Sequence, residues 1–124
     1  MTVREAIEKV TALNKHNFEK KTLIDWLSDV DGQMKEELFD NYILEQELAY
    51  KRYDADDDMD TELLVPDPYS ELYIYYLLMQ INYFSEETAR YNNAAEIFNG
   101  LSNTFRCKFA RTHNVKNRND INWR

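Results

Sequence analysis

The fold is decided by a stretch that runs from residue 67 to residue 84 and reads DPYSELYIYYLLMQINYF. Asp67 and Pro68 form a typical helix start, because aspartate caps free N–H groups and proline favours the first helical position. The residues that follow are apolar nearly all round, which predicts a buried central helix over residues 68–84. Its tyrosines keep a polar hydroxyl at the tip, which suits contact with a partner subunit. The candidate interface aromatics are Tyr69, Tyr73 and Tyr76.

Three further helices are predicted from apolar residues that recur every three or four positions. The first begins at Thr2, which forms a capping box pattern with Glu5. The second covers residues 22–39, and the last covers residues 86–112 with Ser85 as its N-cap. The prediction is an all-α, four-helix bundle-like domain over residues 1–112, followed by a mobile basic tail over residues 113–124.

The long connection between the second and third helices, residues 40–63, has no clear periodicity. Residues 47–53 partly alternate, so a short hairpin, a helix extension and a disordered loop all stay open. A run of aspartates follows, and mutual repulsion predicts an exposed acidic loop. Its members are Asp54, Asp56, Asp57, Asp58 and Asp60. Their spacing resembles a calcium loop, but Met59 replaces the required glycine and Val65 the required glutamate, so no metal site is predicted.

Composition excludes several classes of protein. With two glycines, two prolines and 124 residues, the chain fits one helix-rich domain rather than a turn-rich β fold. The single cysteine, Cys107, cannot form an intramolecular disulfide, and no phosphate loop or activated nucleophile is recognisable. No apolar segment follows Met1, so no signal peptide is expected, and the longest apolar stretch, residues 72–81, is too short to span a membrane. The sequence predicts a protein that is not an enzyme and has no cofactor.

Charge is distributed unevenly along the chain, whose net charge is −8. From Arg106 onward there are six basic residues and one acidic residue, whereas the first 105 residues carry nine basic and 22 acidic residues. Such a tail either stays solvated or orders against the acidic surface of a neighbouring copy. The candidate residues for that subunit contact are Arg106, Lys108, Arg111, Lys116, Arg118, Trp123 and Arg124.

Several segments of the chain resemble small proteins encoded in prophages of Gram-positive bacteria. These segments are DTELLVPDPYSELY at residues 60–73, QINY at residues 80–83, RYNN at residues 90–93 and FN at residues 98–99. WLSDVDG at residues 26–32 is similar to their tryptophan–leucine…aspartate–glycine segment, and RTH at residues 111–113 to the end of their last helix. Where they carry a polar–glycine turn between the last two helices, this chain has Phe84 and Ser85.

The resemblance implies a phage head–tail connector, or adaptor, which is a helical subunit of a ring beneath the portal. Its implied partners are further copies of itself, the portal protein and tail-completion or stopper proteins, and its implied location is the virion neck after synthesis in the host cytoplasm. DNA would pass through such a ring without specific binding, and the acidic loop is our candidate DNA-repelling surface. The alternative function is a small acidic regulatory or inhibitory protein that binds a basic partner as a DNA mimic.

Overall fold

The computed structural model describes residues 1–46 and 48–116. These residues form four α-helices and two short 3₁₀ turns, and no β-strand occurs within the described ranges. The helices are α1 (Val3–Leu13), α2 (Lys20–Glu37), α3 (Leu72–Phe84) and α4 (Thr88–Thr112). The first 3₁₀ turn, Phe39–Asn41, follows α2, and the second, Tyr69–Glu71, directly precedes α3. The predicted all-α fold class is therefore confirmed.

The helices pack around one core with α3 at its centre. Helix α3 contacts α1, α2 and α4, and it packs most extensively against α4, the helix that follows it. Large apolar side chains from three helices are almost fully buried there: Val3, Val10, Leu23, Leu27, Leu72 and Leu77. Each buried side chain of this kind contributes about 1.5–3 kcal/mol. The predicted four-helix bundle-like arrangement agrees with these contacts, and α3 is the central helix as predicted.

Helix α1 begins with the predicted capping box, in which the Thr2 side chain accepts from the Glu5 N–H and the Glu5 side chain accepts from the Thr2 N–H. The connection supplies two further acceptors that the sequence did not reveal. The Val3 N–H donates to the Thr61 carbonyl at 3.1 Å, and the Arg4 N–H donates to the Met59 carbonyl at 2.8 Å. The free N–H groups of the first turn are thus satisfied by a distant part of the chain.

The other helix boundaries differ from the prediction. Helix α2 starts and ends two residues earlier than predicted. Helix α3 begins at Leu72, because residues 69–71 form a tighter turn in which Asp67 accepts a hydrogen bond from the Ser70 hydroxyl. Ser85 closes α3, with its N–H on the Ile81 carbonyl, and Glu86 adopts a left-handed φ of 59°. The Ser85 N-cap was therefore a wrong prediction, and α4 begins only at Thr88.

The connection and the start of the tail also differ from the prediction. No hairpin forms in the described part of residues 40–63. Instead Tyr42 pairs with Val115 in an isolated antiparallel bridge, flanked by bonds from the Ile43 N–H to the Asn114 carbonyl (2.8 Å) and from the Lys116 N–H to the Asn41 carbonyl (3.1 Å). The prediction of a mobile tail is thus wrong for residues 113–116, because backbone pairing holds them. Residues 117–124 lie outside the described residues.

Candidate functional site

A fully buried carboxylate lies where α2, α3 and the connection meet. Asp31 of α2 accepts hydrogen bonds from the hydroxyls of Tyr53 and Tyr73 and, at 3.0 Å, from the Leu64 N–H. A buried carboxylate is costly unless hydrogen bonds replace its water shell. Three donors from two other parts of the chain do so here. We call Asp31, Tyr53, Tyr73 and the Leu64 N–H the carboxylate network.

The carboxylate network extends into the connection through further hydrogen bonds. The Tyr73 hydroxyl also accepts from the Val65 N–H at 2.7 Å. The Tyr53 N–H donates to Ser28 Oγ at 3.0 Å, and the Tyr50 hydroxyl donates to the Ser28 carbonyl at 2.6 Å. An irregular segment without a strand is thereby fixed to α2 and α3 at several points.

Burial controls the ionisation of these groups. Burial raises the pKa of Asp31 above its usual range, and the hydrogen bonds from Tyr53 and Tyr73 lower it by less. Burial and the adjacent Asp31 carboxylate raise the pKa of both tyrosines, so each hydroxyl remains a donor at neutral pH. The prediction that Tyr73 contacts a partner subunit is therefore wrong, because its side chain is enclosed in this network and 0% exposed.

The other two predicted interface tyrosines lie between α3 and α4. Both are half-buried: the Tyr69 ring lies 5.5 Å from that of Phe105, and the Tyr76 ring lies 5.3 Å from that of Phe98. Their rings thus contribute to helix packing and leave only an edge at the surface. Contact of Tyr69 and Tyr76 with a partner subunit stays a prediction.

A different group of aromatic residues, of which two are exposed and three half-buried, forms a partly exposed surface. It lies where the α1–α2 connection, α2 and the α3–α4 turn meet, and we call it the aromatic end. Its members are Phe18, Trp26, Tyr83, Phe84 and Tyr91. The Trp26 and Phe84 rings stack with 5.8 Å between centroids and 3° between planes. Tyr83 and Phe84 are 59% and 57% exposed, which is typical of an interaction surface rather than a core.

A groove crosses the aromatic end between the last turn of α3 and the first turns of α4. Its volume is about 600 Å³, with Tyr83, Phe84 and Tyr91 among its walls and Glu86 at its rim. Asn82 separates it from a second hollow of about 350 Å³, where Leu13 is exposed. The groove is wide enough for a large side chain and has aromatic walls with an acidic edge.

The aspartate run forms the predicted exposed loop. Asp54, Asp56, Asp57 and Asp60 are exposed, while Met59 is buried and anchors the loop in the core. The loop is shaped by its own hydrogen bonds, since Asp54 accepts from the Asp56 N–H at 2.7 Å. At its end, Asp60 pairs with Arg4 at 3.1 Å.

Asp58 is the half-buried member of the loop. Its carboxylate accepts from the Asp54 N–H at 2.7 Å and from the Thr61 hydroxyl at 3.3 Å.

Across residues 1–46 and 48–116, no three histidine, cysteine, aspartate or glutamate side chains are placed to hold a metal ion.

The predicted basic tail divides into three parts. Arg106 belongs to the bundle, because it pairs with Glu37 of α2 at 2.9 Å. Lys108 and Arg111 are exposed on the last turns of α4, and Lys116 follows the bridge to Tyr42. The remaining tail residues, Arg118, Trp123 and Arg124, lie outside the described residues.

The carboxylate network and the aromatic end were both missed from the sequence, although each left a signal. Asp31 lies on the apolar stripe of α2, four residues after Leu27 and three before Met34, where a charge predicts buried partners. Phe84 directly precedes Ser85 and Glu86, and a large apolar residue at a helix end without a following apolar segment indicates exposure.

Comparisons with known proteins do not identify the chain. No protein-family model, curated protein or solved structure matches it. Among the helices of the described ranges, none combines the length and apolar character needed to cross a membrane.

Proposed function

We propose that the protein is a non-enzymatic structural subunit of the phage neck, a head–tail connector that assembles beneath the portal and joins the DNA-filled capsid to the tail. One observation carries the proposal. Two separate segments that resemble the prophage proteins, residues 26–32 and residues 60–73, meet in the carboxylate network through Asp31, Leu64 and Tyr73. The resemblance thus includes residues that hold the fold together, which supports a shared fold rather than a chance surface motif.

The aromatic end supports a role in assembly. Aromatic side chains are enriched at protein interfaces, because they bury large areas at a small cost in conformational entropy. Tyr83 and Phe84 expose more than half of their surface next to the Trp26 ring. A subunit that functions as an isolated monomer would gain nothing from leaving such a surface in water. Association with other copies or with neck proteins would cover it.

The acidic loop supports passage of DNA without binding. Backbone N–H groups hold the carboxylates of Asp54 and Asp58 and so fix the shape of the loop, which keeps its exposed aspartates close together. Such a surface repels phosphate, and at physiological salt the repulsion falls off over roughly 8 Å. A ring that directs these loops toward its channel would let DNA slide rather than adhere.

The test is a deletion of the gene from an inducible lysogen, followed by electron microscopy of the particles. We expect DNA-filled heads and separate tails, with joined virions restored by the wild-type gene. Tagged protein from the complemented strain should also capture the portal or a tail-completion protein, identified by mass spectrometry. Capture of a host transcription factor or nuclease without any structural protein would overturn the proposal in favour of a DNA mimic.

A charge variant tests the role of the acidic loop separately. Replacing Asp56 and Asp57 by asparagine should leave joined virions but reduce the rate of DNA ejection or packaging. The matched control replaces Glu8 and Glu96, which are also exposed but lie on α1 and α4, by glutamine. Equal behaviour of the two double variants would contradict the DNA-repelling role.

A further inference from the structure

The groove of the aromatic end has a chemistry that restricts its partner. Tyr83, Phe84 and Tyr91 offer aromatic surface, which a tryptophan or a branched aliphatic side chain would cover. Glu86 at the rim and the neighbouring Glu87 are both exposed, which favours a partner with basic residues beside its apolar ones. The groove therefore suits a short segment that is both apolar and basic.

The chain contains such a segment directly after the described residues. Residues 117–124 read NRNDINWR, with Ile121 and Trp123 two positions apart and arginines at positions 118 and 124. In an extended peptide, residues two apart point to the same side. Ile121 and Trp123 would then enter one groove together, while Arg118 and Arg124 flank it. The two arginines and Asp120 give this segment a net charge of +1.

The place where the described chain ends favours docking onto another molecule. Lys116 lies beside Asn41, and Tyr42 next to it packs on Phe109 near the end of α4. About 27 Å of helix separates Phe109 from Tyr91 at the groove. Residues 117–123 span at most about 25 Å when fully stretched and about 15 Å on average when flexible. Reaching the groove of the same molecule would require a straight, fully extended chain, whereas a second copy imposes no such requirement.

We infer that residues 117–124 of one copy dock in the aromatic-end groove of a second copy, with Trp123 against Tyr83, Phe84 and Tyr91. The inference rests on the proposed function, since it identifies the contact by which ring subunits would join. The described chain ends near the last turn of α4, whereas the groove lies at its first turns, so one copy can donate its tail to a second copy while it accepts the tail of a third, which is a heterologous contact. Repetition of a heterologous contact produces a ring or an open chain of subunits.

The experiment is sedimentation velocity of the full-length protein over a concentration series. We expect the wild type to associate, and Trp123→Ala or Phe84→Ser to weaken association at least about tenfold, as for an aromatic residue at an interface hot spot. Glu86→Lys, which leaves the aromatic packing intact, should weaken it by a smaller factor. The matched control is Ile43→Ser, because Ile43 is 55% exposed but lies far from the groove.

A mixture of two defective variants gives the decisive result. Trp123→Ala keeps an intact groove, and Phe84→Ser keeps an intact tail, so the two together should form a one-to-one dimer that grows no further. Failure of this mixture to dimerise, a monomeric wild type at every concentration, or an equal effect of Ile43→Ser would overturn the inference. Circular dichroism of each variant checks that it is folded.

The proposed function can fail independently of this contact. Portal capture by the wild type, together with unchanged association of Trp123→Ala, would overturn the tail contact and leave the connector function standing. Tail-dependent association without capture of any neck protein would support the tail contact and overturn the connector function.

Discussion

The two ends of α3 carry the same kinds of residue in opposite environments. Tyr73, near the start of the helix, is 0% exposed, whereas Tyr83, near its end, is 59% exposed. Tyr73 donates to Asp31 and accepts from the Val65 N–H. The Tyr83 ring instead packs edge-on against Phe84 and lies 5.7 Å from the Tyr91 ring at the surface.

The difference comes from what the chain places over each end. The long connection binds the start of α3 directly through the Val65 N–H, which donates to the Tyr73 hydroxyl. It also binds it indirectly, because the Leu64 N–H and the Tyr53 hydroxyl donate to the same Asp31 carboxylate as Tyr73. At the other end, residues 85–87 link α3 to α4 by a short turn that covers neither Tyr83 nor Phe84. One end thereby becomes an internal anchor, and the other is left as a surface that a partner can cover. The predictions below test that contrast.

The largest expected effect comes from removing the buried carboxylate. Asp31→Ala leaves two tyrosine hydroxyls and one backbone N–H without their acceptor, and should cost about 3 kcal/mol or more of the free energy of unfolding. Urea unfolding followed by circular dichroism measures it. The matched control is Asp29→Ala, an exposed carboxylate on the same helix that pairs with Arg52, which should cost less than about 1 kcal/mol. Similar losses of unfolding free energy in the two variants would show that Asp31 contributes no more to stability than an exposed carboxylate.

A single-oxygen change compares the two ends of α3 directly. Tyr73→Phe removes the donor to Asp31 and the acceptor of the Val65 N–H, and should cost about 1–3 kcal/mol. Tyr83→Phe removes a solvated hydroxyl and should change stability by less than about 0.5 kcal/mol. Both values come from urea unfolding at the same pH. If Tyr83→Phe proved the more destabilising, the assignment of anchor and surface would be reversed.

A pH dependence sharpens the description of the anchor. Burial raises the pKa of Asp31 in the folded state, so the folded protein holds this proton to a higher pH than the unfolded chain. The stabilisation is complete below the ordinary pKa of aspartate, about 4, and is lost as pH rises through the raised value. The unfolding free energy of the wild type relative to Asp31→Asn should therefore fall from pH 4 toward neutral. A rise would mean that the tyrosine hydrogen bonds outweigh burial.

Removal of a whole ring from the aromatic end should cost less than removal of the buried carboxylate. Phe84→Ser loses the stacking on Trp26, which contributes about 0.5–1.5 kcal/mol, and most of the remaining ring is already in water. We expect the unfolding free energy to fall by about 1 kcal/mol, with far-ultraviolet circular dichroism unchanged. Loss of the folded state would show that Phe84 belongs to the core and not to a docking surface.

Several features could be predicted because they depend on neighbours in sequence. The capping box of Thr2 and Glu5, the apolar stripe of α2 and the exposed aspartate run all arise from residues within a few positions of one another. The starts of α3 and α4 were placed too early, because Asp67 bonds to the Ser70 hydroxyl and Glu86 turns into a left-handed conformation. Local helix propensity does not specify the exact residue at which α3 or α4 begins.

By itself, the sequence determined that the protein is all-α, where its helices run within a few residues, and that its acidic loop faces water. Helical periodicity and charge repulsion act locally, so they can be read without knowing which parts of the chain meet. The tertiary structure alone decided that Asp31 joins Tyr53 and Tyr73, which are 22 and 42 residues away. It also decided that Tyr73 is enclosed while Tyr83 is free, because burial depends on which distant segment covers a residue and not on the residue type.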